Sequence, residues 1–268
     1  MPRARTKKEK KLLIKWIVAL TAVLAVMIGV AMLLIPRQPE PEAPPPETTR
    51  PTTSNDNFVY DDNGFLSSTT RASIPGIDVS HHQGIIDWQQ VRAAGVEFAM
   101  IRLGYRGYLD GELHTDERAV QNLSEAKAAG LKIGAYIFSQ AIDPTEAVEE
   151  AQFALDTLGD AKLDLPLVFD WEYVSDSART AGVTGETLMS CIRSFCDVVE
   201  QAGIEPMIYF NQDLARTKLD LDALEYPFWL AKYSDDLAYP YAVRCWQYTD
   251  KGRIPGIDEN VDIDLYFP

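Results

Sequence analysis

The residues of this chain best suited to chemistry are carboxylic acids at the ends of apolar, β-rich runs. Asp78 follows Gly76-Ile77, Asp170 and Glu172 sit in Phe169-Asp170-Trp171-Glu172, and Asp262 and Asp264 sit in Val261-Asp262-Ile263-Asp264. In an extended strand residues i and i+2 point to one face, so Asp170 and Glu172 share a side while Trp171 points away. Two carboxyls held that close cannot both ionise freely, and one pKa rises into the range of a general acid. One group protonating a leaving oxygen while another stabilises a cation-like centre or activates a nucleophile is the chemistry of glycoside cleavage. An Asp-x-Glu at a strand end is equally what a solvated edge or a helix cap looks like. Aromatic residues add weight here, since Tyr105, Tyr136, Trp171, Tyr173, Tyr209, Tyr233, Trp246 and Tyr248 lie in the same stretches and their flat faces suit pyranose rings. For Trp171 and Tyr209 a place in the core is as good a reading.

Acids at strand ends need a scaffold that gathers them. β-rich runs at 77–79, 98–102, 132–138, 167–169 and 207–210 alternate with helical ones, which implies a parallel sheet. Helix signals stand between them: Asp87 before Trp88 with Gly95 after, Thr115 before Asp116 with Gly130 after, and Asp143-Pro144-Thr145-Glu146 with Gly159 after. A fourth helix is expected from about Thr184 to Ala202, with Leu188, Cys191, Ile192, Phe195, Val198 and Val199 on one face and Gly203 as its stop. Three more strands at 228–231, 242–247 and 261–265 follow too closely for full helical crossovers. The expected fold is α/β, a modified eight-stranded (β/α) barrel with irregular last three strands, and its site belongs at the C-terminal strand ends. The pentapeptide IPGID occurs at 74–78 and again at 254–258 and is read as coincidence.

Ahead of the domain, residues 16–35 contain no charge, and about 20 helical residues cross a hydrocarbon core of about 30 Å. Residues 1–15 carry seven basic side chains and one acid, so the positive-inside rule predicts a cytoplasmic N-terminus, a single-pass transmembrane helix in the cell membrane and an extracytoplasmic domain. A cleaved signal peptide is the rival reading, but its apolar region usually runs only about 7 to 15 residues. Residues 36–71, rich in Pro, Thr and Glu, read as a linker, and 72–268 as the catalytic domain. The first fifteen residues contribute +6 to a whole-chain charge of -15, leaving -21 for the rest, which argues against nucleic acid as a partner. Cys191, Cys196 and Cys245 read as buried small hydrophobes.

Beyond single residues, the opening Gly76-Ile77-Asp78-Val79-Ser80-His81-His82-Gln83-Gly84-Ile85-Ile86-Asp87-Trp88 closely resembles that of the glycoside hydrolase family 25 muramidases, the Chalaropsis-type lysozymes. Phe98-Ala99-Met100-Ile101-Arg102 with Gly104-Tyr105, the run at 126–138, Phe169 to Glu172, Trp229 to Tyr233, and Trp246-Gln247-Tyr248 through Asp262 resemble that family's later blocks, in order. The resemblance implies cleavage of the β-1,4 bond between N-acetylmuramic acid and N-acetylglucosamine in the glycan strands of peptidoglycan, without cofactor or metal. It implies Glu172 as proton donor, Asp170 as its partner carboxylate, and Asp78 and Asp262 as supporting acids. Tyr105, Tyr136, Tyr173, Tyr209, Tyr233, Trp246, Tyr248, Arg102 and Asp264 complete the candidate substrate-binding set. The chain departs from many relatives at Ile137, where they carry His, and at Asp264, where they carry Asn. An extra acid on the face of Asp262 is expected to raise the proton donor's pKa further.

Two other functions compete. A metal-dependent cell-wall deacetylase is suggested by His81 and His82, but adjacent strand residues face opposite ways and the only other histidine is His114. A non-catalytic glycan-binding module would be favoured by loss of Asp170 or Glu172, and both are present.

Overall fold

The structure, a computed structural model, describes residues 57–268. The expected basic segment, membrane span and Pro-rich part of the linker lie outside them. Among the described residues no helix is long and apolar enough to cross a membrane.

Eight strands close a barrel: β3 (Ile74–Val79), β4 (Phe98–Arg106), β6 (Lys132–Ser139), β7 (Leu167–Trp171), β8 (Pro206–Asn211), β9 (Phe228–Ala231), β10 (Cys245–Gly252) and β11 (Val261–Tyr266). A ninth, β5 (Leu113–Thr115), is an antiparallel appendage on β4. From β3 through β4, β6, β7, β8 and β9 to β10 every pairing is parallel, and only β11 runs antiparallel to both its neighbours, β10 and β3. The irregularity expected of the last three strands is therefore confined to β11 and to the missing helical crossover between β9 and β10. The expected strand at 242–247 in fact begins at Cys245 and continues to Gly252.

The strands are apolar on both faces because both are covered. One parity fills the barrel interior with Phe98, Met100, Val168, Met207, Trp229, Cys245 and Tyr266. The other, including Ala99, Ile101, Ala135, Ile137, Phe169 and Phe210, packs outward under the helices. Gly76 lets the interior close, since a Cβ there would lie 2.2 Å from the Phe98 ring.

The helices are α1 (Trp88–Ala93), α2 (Ala119–Ala128), α3 (Pro144–Leu158), α4 (Gly185–Gln201) and the short α5 (Gln212–Thr217). Asp87 caps α1, Asp143 caps α3 with Pro144 in its first turn, and Thr184 caps α4, each side chain accepting from exposed N–H groups of the first turn. The second helix departs from expectation. Thr115 belongs to β5, α2 starts at Ala119 without a side-chain cap, and Asp116 is used elsewhere. Cys191, Cys196 and Cys245 are buried thiols. IPGID forms β3 at its first occurrence and a turn at its second, where Gly256 has φ of 97°.

The linker boundary needs correction. Residues from 57 onward are not linker but a β-hairpin, β1 (Phe58–Tyr60) paired antiparallel with β2 (Leu66–Ser68) around Asp61-Asp62-Asn63-Gly64. Asp61 Oδ1 accepts from Asn63 N and Phe65 N, and Gly64 takes the φ of 85° that the turn requires. The hairpin packs beside the strands that have few helices over them. Phe58 meets Trp246 edge-on at 5.0 Å, and Leu66 N donates to Tyr248 Oη.

Candidate active site

The strand ends converge on an acidic cleft of about 260 Å³ at the C-terminal mouth of the barrel. β3 delivers Asp78, β4 Arg102, β6 Tyr136 and Phe138, β7 Asp170, β8 Tyr209, and β11 Asp262, and Glu172 comes just past the end of β7 at Trp171. Tyr233, just beyond β9, forms an exposed rim. Eight of the expected residues are thus brought together: Asp78, Arg102, Tyr136, Asp170, Glu172, Tyr209, Tyr233 and Asp262.

Five are not. Trp246 and Tyr248 have the outward parity of β10; Trp246 is fully buried with Nε1 donating to Lys232 O, and Tyr248 sits under the hairpin. Asp264 is one layer too deep, wholly buried, accepting from Trp229 Nε1 at 2.8 Å. Tyr105 lies past a break in the β4–β6 register after Arg102, and its ring stacks on His114. Tyr173 is solvent-exposed, with its hydroxyl on Asp176. Trp171 takes the core reading: it is buried, and its Nε1 donates to Ala141 O.

Gln247, which the sequence pattern does not single out, also belongs to the cleft. It has the inward parity of β10, opposite Asp264 across the ladder. Its Nε2 donates to Asp78 Oδ2 at 2.8 Å, while its Oε1 accepts from Tyr209 Oη at 3.1 Å and Tyr233 Oη at 3.2 Å. One amide thus fixes an acid and two tyrosines. Trp229 also lines the cleft, edge-on to Tyr136 and Tyr209. Ile137 faces outward, so the departure there does not touch the cleft.

His81 and His82 are not on a strand but in a helical turn (His81–Gln83), with rings 4.1 Å apart. The opposite-faces argument therefore does not apply. His81 is engaged instead by Asp116 Oδ2 and Arg102 Nη2. Asp116 also accepts from Arg102 Nε at 2.9 Å, so it orients the lone Arg or Lys lining the cleft. Among the described residues no group of three or more His, Cys, Asp or Glu could hold a metal ion.

Burial sets the electrostatics. Asp78, Asp170 and Asp264 are pushed well above the usual carboxylate range, in each case chiefly by removal from water. Neighbouring acids add to this: Asp262 and Asp264 for Asp78, Glu172 for Asp170, and Asp262 for Asp264. Glu172 is raised by burial and then by Asp262, and Asp262 itself is raised to about 6 by burial and then by Asp250. Arg102 is the one charge that opposes the rise at Asp170.

A closed α/β barrel with carboxylates gathered beside tyrosines at its C-terminal strand ends is the architecture of a barrel-type glycoside hydrolase. The chain belongs to glycosyl hydrolases family 25, whose model matches residues 77–257. The autolytic lysozyme of Clostridium acetobutylicum is 29% identical over 196 residues, covering 71% of this chain and 55% of that protein. Lysozyme M1 of Streptomyces globisporus is 28% identical over 202 residues, 71% of this chain and 67% of the relative. Among solved structures, the modular autolysin LytC of Streptococcus pneumoniae, in complex with a synthetic peptidoglycan ligand, superposes with a TM-score of 0.67 at 27% identity, covering 80% of this chain and 52% of that one. The bacterial lysozyme of Streptomyces coelicolor gives 0.60 at 25% identity, covering 73% and 92%. The chain thus spans about half the length of the clostridial lysozyme and of the pneumococcal autolysin.

Proposed function

We propose that this protein hydrolyses the β-1,4 bond between N-acetylmuramic acid and N-acetylglucosamine in peptidoglycan, with Glu172 as general acid and Asp170 as its partner. The observation that carries the reading is the meeting of Asp170, Glu172, Asp78 and Asp262 in one tyrosine-lined cleft, in a chain of a family whose relatives include named lysozymes.

Both carboxyls of the pair are raised by burial, and the charge of Glu172 raises Asp170 further, so ionising both together is disfavoured. Outside the pair, Asp262 raises Glu172 whereas Arg102 opposes the rise at Asp170. That outside asymmetry, with Glu172 standing just past the strand end in the cleft, is what supports Glu172 as the group that carries the transferable proton. Asp170, ionised, then steers the substrate's 2-acetamido group or a water toward the anomeric carbon. Gln247 holds Asp78, Tyr209 and Tyr233 in fixed positions around the sugar.

Digesting purified peptidoglycan and reading the new reducing ends by mass spectrometry tests this directly. N-acetylmuramic acid at the new reducing end is the expected result; N-acetylglucosamine there, or cleavage only of peptide bonds, overturns it.

Charge placement yields a second expectation. Asp262→Asn removes a negative neighbour of Glu172, lowers the donor's pKa and moves the basic limb of the pH–rate profile to lower pH. Asp264→Asn leaves that limb in place, because Asp264 acts on Asp78 rather than on Glu172. This revises the coupling expected from the strand pattern, in which Asp264, on the face of Asp262, raises the proton donor's pKa further. The opposite ranking of the two variants would refute the geometry of the argument.

We also infer from residues 1–35 that the protein is held in the membrane by one N-terminal helix with its domain outside the cytoplasm. Protease added to intact protoplasts should release a fragment beginning between residues 36 and 56. A domain protected in that experiment overturns the topology.

A further inference from the structure

Glu172 occupies an unusual backbone position. β7 ends at Trp171, whose ladder partner on β6 is Ser139, and Glu172 is the first residue past the last pairing. Its carbonyl is nonetheless held, by a side chain rather than a strand. Gln140 Nε2 donates to Glu172 O at 2.8 Å and to Ser139 O at 2.8 Å, so one amide nitrogen splices the two strand ends where the ladder stops.

The orientation of that amide is fixed from behind. Thr180 Oγ1 donates to Gln140 Oε1 at 2.9 Å, which leaves the nitrogen facing the two carbonyls. The main chain of Gln140 is held as well: its N–H donates to Glu150 Oε1, and its carbonyl accepts from Arg179 Nη1 at 2.9 Å. Glu150 in turn receives Arg106 Nε at 2.8 Å, and Arg179 pairs with Glu146. Gln140, Thr180 and Glu150 are all wholly buried, and none of them lines the cleft. A network of this kind rigidifies the groups it grips because each member would be costly to leave unpaired.

We propose that Gln140, oriented by Thr180, is a positioning residue for the catalytic acid: it fixes the backbone from which the Glu172 carboxyl projects. This rests on Glu172 being the proton donor. Proton transfer demands a heavy-atom approach of about 2.6–3.2 Å, and a misplacement of about 1 Å is enough to cost about 10²-fold in rate. Asp78, Tyr136, Tyr209 and Gln247 each sit at a paired position of a strand, and none of their backbones is held by Gln140. Loss of the splice therefore impairs the chemical step and spares substrate binding.

The test compares Gln140→Leu, which keeps the volume and loses both donations, with Thr180→Val, which keeps the shape and loses only the hydroxyl that orients the amide. Both are made in the full chain, with Glu172→Gln as control, and kinetics on solubilised peptidoglycan strands are normalised to the folded fraction by near-UV circular dichroism. We expect kcat to fall at least about tenfold in Gln140→Leu and by a smaller factor in Thr180→Val, with KM within about twofold of the unsubstituted protein in both. A purely structural role lowers the folded fraction and leaves kcat per folded molecule unchanged. That result, or an effect confined to KM, overturns the proposal. If Gln140→Leu does not fold, Thr180→Val decides alone: a kcat equal to that of the unsubstituted protein refutes the splice. If Glu172→Gln keeps its activity, the donor assignment falls and this inference with it. If Glu172→Gln is dead while the other two are fully active, only the positioning role falls.

Discussion

Glu172→Gln is expected to lower kcat on peptidoglycan by about 10³-fold or more while the protein remains folded and becomes slightly more stable at neutral pH. The amide has the size of the carboxyl but no transferable proton. The backbone contact that anchors the residue, from Gln140 to the Glu172 carbonyl, does not involve the substituted group. The stability effect follows from the raised pKa. Where the folded pKa of an acid exceeds its unfolded value, ionisation costs stability above the folded pKa, and the cost disappears as pH falls below the unfolded one. The variant's gain in Tm should accordingly be present at pH 7.5 and absent at pH 4. Steady-state kinetics and thermal melts at the two pH values check both halves. A variant with normal turnover sinks the donor assignment, and a variant that loses both activity and several degrees of Tm shows instead that Glu172 is structural.

Removal of the N-terminal hairpin should be nearly as damaging, though to stability and not to chemistry. Phe65 and Leu66 are each 2% exposed and join the outer core that contains Trp246 and Tyr248. Truncating one buried Phe or Leu costs about 2–5 kcal/mol, against a total stability of about 5–15 kcal/mol for a typical domain. Deletion also uncovers Trp246, whose ring meets Phe58, and leaves Tyr248 Oη without its backbone donor. A chain beginning at Ser73 should melt at least about 8 °C below one beginning at Asn57, at about 2–4 °C per kcal/mol for a domain of this size. Calorimetry on the two chains settles it; equal Tm values would mean that the hairpin merely rests on the barrel. Phe65→Ala in the longer chain should reproduce about half or more of the loss.

The hairpin marks a domain boundary that has a local signal in the sequence. Asn63-Gly64 between Phe58-Val59-Tyr60 and Phe65-Leu66 is a strong short-range hairpin signal. The polar composition of residues 57–64 continues that of the Pro- and Thr-rich stretch before them, so composition alone does not separate the hairpin from the linker. Gln247 was less accessible. Its neighbours Trp246 and Tyr248 look like sugar platforms, and aromatic character outweighed parity.

What the chain determines by itself is whatever depends on local geometry. Helix starts at Asp87, Asp143 and Thr184 follow from side chains that cap their own helices. The shared face of Asp170 and Glu172, with Trp171 opposed, follows from the two-residue period of an extended strand, and both acids line the cleft. The alternation of strands and helices, with the family blocks in order, was enough to specify a closed α/β barrel. Tertiary structure alone decided which parity of each strand faces the axis and how deep each residue sits. A strand's alternation names two sets of residues without saying which is inside, and only pairing with its neighbours resolves it. That is why Gln247 replaced Trp246 and Tyr248. It is also why Asp264, two residues and one layer below Asp262 in a strand paired at Asp78 and Gly76, belongs to the buried interior and not to the cleft.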